Sequence, residues 1–157
     1  LLKHIVTIIA IISIAIGCSG VGRKRSPDGP VPFRTIISGQ YSQADTAAVY
    51  LIDNNEQWQK IWDLAMGNQD PLPRAVELDF KNNVALAVFM GKKSSAGHRV
   101  EISKITKKGE KLTVLVKNHH SSGGMVLPVV TSPYQLITIP RGKYKLDIRY
   151  EQVNDQN

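Results

Sequence analysis

Cysteine is almost missing from this chain. Its single cysteine, Cys18, excludes an internal disulfide framework. Aromatic residues are scarce at 6%, and the most basic stretch has none interleaved, so the stacking platform of a single-strand nucleic-acid groove is absent. No apolar run is long enough to span a bilayer. The longest, Ile5–Ile16, is twelve residues broken only by Thr7 and Ser13, whereas a spanning helix needs roughly 20. Nucleophile signatures of the G-x-S-x-G and S-x-x-K types are missing, and Gly123-Gly124 follows no phosphate-loop pattern and opens no helix. Beyond residue 17 the only histidines are His98, His119 and His120, with no cysteine or near-neighbour acid to complete a metal set for the adjacent pair. Neighbouring side chains on a strand point to opposite faces, so His119 and His120 would share one ion only from a loop. The expectation is therefore no metal, no cofactor and no nucleic acid.

What is present begins with an export signal. Lys3 and His4 precede the twelve-residue apolar run, the length of a secretory h-region. The run ends in Ala15-Ile16-Gly17-Cys18-Ser19, which is similar to the lipobox of bacterial lipoproteins. There, small residues let a peptidase bind the extended backbone and the cysteine thiol takes the lipid. A plain signal peptide or an uncleaved anchor would leave Cys18 a bystander, but its position favours lipidation. The expected organisation is a lipoprotein signal peptide over 1–17, a lipidated tether over 18–33, a folded domain over 34–151 and a frayed tail over 152–157. The tether is rich in glycine, proline and charge. Its last fifteen residues, Ser19–Phe33, have a reach on the order of 20 Å if flexible. Arg23-Lys24-Arg25 suits either solvent or anionic headgroups. Ser19 lacks the Asp that marks inner-membrane retention in Gram-negative lipoproteins, so the outer membrane or cell surface is favoured.

The folded part centres on Val84–Gly91, seven apolar residues closed by a glycine, which predicts a strand buried on both faces. Arg34–Gly39 and Ala47–Ile52 predict short strands. Asp53-Asn54-Asn55 offers N-cap oxygens to a helix whose Trp58, Ile61, Trp62 and Ala65 recur at helical spacing, and Gly67 ends it. The tryptophan pair is expected to be its docking face. Arg99–Thr106 and Lys111–Asn118 predict a hairpin, with Ile105 out of phase and hence a bulge. Ser121–Val130 reads as a long loop. Gln135–Ile139 reads as a strand, and Tyr144, Leu146, Ile148 and Tyr150 alternate along the last one. The fold class expected is α+β, one amphipathic helix packed on a mostly antiparallel β-sheet. Charge is uneven, with six acids and two bases over 53–80 against eight bases and two acids over 92–117. Such a face is usually solvated; docking is the alternative.

Read in order, several pieces align. They are Gly39-Gln40-Tyr41-Ser42, Trp58 with Trp62, Pro73, Leu78-Asp79-Phe80, Val84–Gly91, Gly97, Val100-Glu101-Ile102, Leu112–Val116, Met125-Val126, Thr131-Ser132-Pro133-Tyr134 and Ile139-Pro140-Arg141. The ordered set over Arg34–Tyr150 resembles the PrcB-type protease-complex subunit family, notably its C-terminal domain. Ala96-Gly97-His98 stands where that family usually shows Gly-Gly-Tyr. The resemblance implies a non-catalytic bacterial lipoprotein that helps assemble or stabilise a surface protease complex. A peptidase-inhibitor-like binding domain is the alternative within binding proteins, and a hydrolase using His98 or His119 with a serine is the rival from another class. A partner-binding role is expected at Thr131, Ser132, Pro133 and Tyr134, because a long loop leads into a proline-fixed turn that holds a tyrosine.

Overall fold

The computed structural model describes residues 27–121 and 128–155. Cys18, the signal, the basic triplet and Met125-Val126 lie outside the described residues. The central strand, β4 (Asn83–Phe89), pairs antiparallel with β3 (Ala48–Ile52) on one side and β7 (Tyr134–Pro140) on the other, and β2 (Arg34–Gly39) adds to the far edge of β7. Every residue from Val84 to Phe89 is at most 2% exposed. Alternation along β4 explains how. Val84, Leu86, Val88 and Met90 join one core cluster, whereas Ala85, Ala87 and Phe89 join another.

The second cluster lies against α1 (Asn55–Met66) and contains its Trp58, Ile61, Trp62, Ala65 and Met66. The two alanines on the strand leave room for the two indoles on the helix, which is how close packing is reached without strain. Asn54 caps the helix, its side chain accepting from Gln57 N at 2.9 Å. The indole nitrogens of Trp58 and Trp62 donate to the carbonyls of Val76 (2.7 Å) and Pro73 (2.8 Å), pinning the irregular segment that follows the helix.

The other face of β4 is covered by a second sheet, where a single sheet was expected. β1 (Gly29–Pro30), β5 (Arg99–Lys108), β6 (Lys111–Ser121) and β8 (Lys145–Asp155) lie in the order β1-β5-β6-β8. Val100, Ile102, Ile105, Leu112, Val114 and Val116 fill the space between the sheets. The layers are thus sheet, sheet, helix, and a strand apolar on both faces requires both covers. The β5–β6 register shifts between Ile102 and Lys104, which returns Ile105 to the core at 1% exposure. All ladders are antiparallel save β6–β8, eleven residues in parallel, because the chain crosses to β7 in the other sheet before it returns. β8 runs on to Asp155, into the segment expected to fray.

Asp79 closes the turn that delivers the chain into β4. Its Oδ1 accepts from Lys81 N (2.9 Å) and its Oδ2 from Asn82 Nδ2 (2.7 Å). The Asn82 bond first, then the Lys81 bond, hold its carboxyl below the ordinary 3.8. A depressed folded value stabilises the fold above the unfolded pKa and loses that contribution as pH falls through the folded one. Asp79→Asn should therefore lower the urea midpoint at pH 7, and the gap to the parent should close as pH falls through the depressed folded-state pKa. Equal gaps on both sides of that pKa would assign the effect to geometry and not to charge.

Candidate functional site

Thr131-Ser132-Pro133-Tyr134 sits where β4, the end of β2 and the loop after β4 converge. Thr131 N donates to Lys93 O (2.9 Å) and its hydroxyl to Ser95 O (3.1 Å). Ser132 N donates to Gln40 O (2.7 Å), its hydroxyl to Ala44 O (2.7 Å), and its carbonyl accepts from Ser42 N (3.0 Å). Ser42 Oγ is a further 2.7 Å from Ser132 Oγ. The Pro133 carbonyl accepts from Met90 N (2.9 Å). Tyr134 stacks on Phe89 with centroids 6.2 Å apart and donates its hydroxyl to Met66 Sδ at 3.0 Å. All four residues are buried, Thr131 and Ser132 at 3% and Tyr134 at 4%. Their polar groups are spent on the chain itself, as burial demands.

An open groove lies beside them. A groove of about 540 Å³ is lined by Ile37, Ser38, Gly39, Gln40 and Tyr41 from β2 and its exit, by Asn68 and Gln69 after α1, and by Tyr134 at its floor. It carries no carboxylate or ammonium. Tyr41 is 57% exposed, an aromatic ring with a polar tip of the kind interfaces use. Gly39 is obligatory here for close approach, since a Cβ would lie 2.6 Å from the Tyr134 ring. From its own residues Gly39-Gln40-Tyr41-Ser42 reads as no more than a turn after the first predicted strand. Its contact with residues some 90 positions away was not legible, although both pieces belong to the same family resemblance.

The histidines form two clusters on opposite faces of β6. His98 Nε2 is 3.0 Å from Ser95 Oγ, and its Nδ1 is 3.0 Å from Nδ1 of His120, which in turn meets Gln152 Oε1 at 2.6 Å. Burial first, then His120 and Lys93, lower the pKa of His98. A serine–histidine pair is thus present, but a second imidazole stands where a nucleophilic triad has its carboxylate, and a neighbouring lysine opposes the imidazolium that catalysis would create. His119 lies 3.0 Å from Asp155 Oδ1, 3.0 Å from Arg99 and 3.4 Å from Glu101, with no serine hydroxyl bonded to it among the described residues. Among the described residues no group of three or more His, Cys, Asp or Glu is gathered to hold a metal.

The basic hairpin is partly neutralised by the last strand. Lys111 reaches Asp147 at 3.0 Å and Arg99 reaches Asp155 at 3.7 Å, both acids of β8. Pairs of this kind, screened by solvent, add little to stability. Among the described residues no helix is long and apolar enough to cross a membrane.

The fold is thus a helix-backed pair of sheets with an uncharged groove beside the buried turn. Residues 84–140 match the family model described as PrcB C-terminal, as a PrcB-type C-terminal domain would. The matched span opens one residue into β4, runs through the β5–β6 hairpin and the buried turn, and closes at the end of β7. The resembling pieces outside it, at Gly39–Ser42 and Trp58 with Trp62, pack directly on it. No curated protein and no solved structure matches the chain significantly.

Proposed function

We propose that this is a lipid-anchored, non-catalytic envelope protein that binds a protein partner and helps assemble or stabilise it, the partner being a surface protease complex. The observation that carries this reading is the PrcB C-terminal match over 84–140, since the family points to a subunit associated with a protease complex. Support comes also from the geometry. The buried turn at Thr131–Tyr134 acts as positioning structure, and the partner meets the groove it supports, with Tyr41 as anchor. Export, lipid at Cys18 and residence at the outer membrane or cell surface belong to the same proposal and rest on the lipobox-like sequence.

The anchor is tested by Cys18→Ser. Acyl burial contributes about 0.8 kcal/mol per CH₂, so the serine variant should move from the membrane to the soluble fraction. Membrane retention after a salt wash would remove the lipid from the account. The partner is tested by crosslinking from the groove, followed by assay of the captured protease with and without this protein. Higher or longer-lived protease activity fits an assembly subunit, whereas loss of activity would make the protein an inhibitor.

A further inference from the structure

The polar end of the second sheet carries an arrangement that the binding role does not use. Arg99 pairs with His119 across the β5–β6 ladder, so His98 and His120 stand opposite each other one step further on. Their Nδ1 atoms converge to 3.0 Å with the rings nearly perpendicular, at 84°. Each far nitrogen has its own partner, Ser95 Oγ at 3.0 Å for His98 and Gln152 Oε1 at 2.6 Å for His120. Two convergent imidazole nitrogens, each ring oriented by a bond on its other nitrogen, are how metal-binding histidines are held. Asn118, two residues before His120 and therefore on the same face, has a buried Oδ1 with no hydrogen-bond partner among the described residues. Asn118 Oδ1 is thus a buried acceptor left open on the strand face that carries His120.

We propose that His98 and His120 chelate a copper(II) ion through their Nδ1 atoms. Donor type selects the metal. Imidazole suits copper, and copper(II) heads the divalent affinity order. The absence of a carboxylate or thiolate from the pair, with Lys93 close to His98, works against the closed four-ligand set of structural zinc. Water is left for the remaining positions.

The protons balance within the pair. Gln152 Oε1 only accepts, so His120 carries its hydrogen on Nε2 and His98 donates from Nδ1 to the bare Nδ1 of His120. When the ion enters, the His98 hydrogen transfers to Nε2, where Ser95 Oγ accepts it, and both rings stay neutral.

The test uses the full chain, stripped with a chelator and titrated with copper(II) chloride in a non-coordinating buffer. Electron paramagnetic resonance should show one bound ion split by two imidazole nitrogens. His98→Ala and His120→Ala should each lose at least about tenfold in affinity, more than an outer-shell change costs at its least. His119→Ala, altered on the opposite face, and His4→Ala should bind as the parent does. Gln152→Ala leaves both ligands in place and should weaken binding without abolishing the two-nitrogen signal, which keeps the test valid if a histidine variant misfolds. Copper held equally well by the double variant His98→Ala/His120→Ala would mean an adventitious ion only and would overturn the proposal. So would a parent protein that binds no copper, or one that binds zinc more tightly.

Discussion

Tyr134→Ala should leave the protein largely unfolded at modest denaturant. Tyr134 is 4% exposed, stacks on Phe89 of the central strand and reaches Met66 at the end of α1, so it joins helix and sheet at one point. Removing a buried aromatic costs roughly 3–5 kcal/mol, through lost transfer energy and the cavity left behind. Domains of this size have only about 5–15 kcal/mol in total. The cavity cannot collapse cheaply, because Gly39 has no side chain to move in and Phe89 is fixed by the ladder. Tyr134→Phe keeps the ring and loses only the bond to sulfur, at about 1 kcal/mol. Urea denaturation of both variants checks this. A Tyr134→Ala midpoint within error of the parent would show that the turn's burial does not support the fold.

Trp62→Ala is the second large effect. Its indole packs against Trp58 with centroids 5.6 Å apart and sits in the cluster that includes Ala85 and Ala87. Ala85 and Ala87 offer only methyl groups, too short to fill the space an indole leaves. The loss is again roughly 3–5 kcal/mol, and the Pro73 carbonyl also loses its donor. The segment from Gly67 to Asn82 then has one indole tether in place of two, and limited proteolysis should cut it first. Trp62→Phe separates the two contributions: packing is mostly retained, while the orphaned carbonyl costs about 1–3 kcal/mol if it stays dry. Full stability in Trp62→Ala with loss of partner binding would make this helix face an interface instead of core.

Local chemistry was the part of the fold legible in the sequence. The unbroken run at Val84–Met90 announced a strand covered on both sides, Asn54 and the tryptophan spacing announced the helix, and the phase error at Ile105 announced the β5 register shift. Which sheet a strand joins was not legible. Alternation at Leu112, Val114 and Val116 states that one face is buried but not what buries it. The strand from Gln152 to Asp155 was missed because its residues are polar and are held by pairing with His119 and its neighbours on β6. The turn at Thr131–Tyr134 reads as surface because serine, threonine and proline favour loops. Its burial depends on Ser42, Gln40 and Ala44, which satisfy its polar groups from far away in the chain. His98 and His120 meet for the same reason: the hairpin register, not their spacing, brings them together.

The most direct test of the binding role is a photo-crosslinking residue placed at Tyr41 in native cells, with the same residue at Arg149 on the outer sheet face as comparison. Both positions are exposed, so insertion at either leaves the core intact. The account predicts a discrete adduct from Tyr41 that contains a cell-surface protease and is absent from Arg149. Failure of Tyr41 to yield any adduct while the protein remains folded and abundant, or the same adducts from both positions, would contradict it.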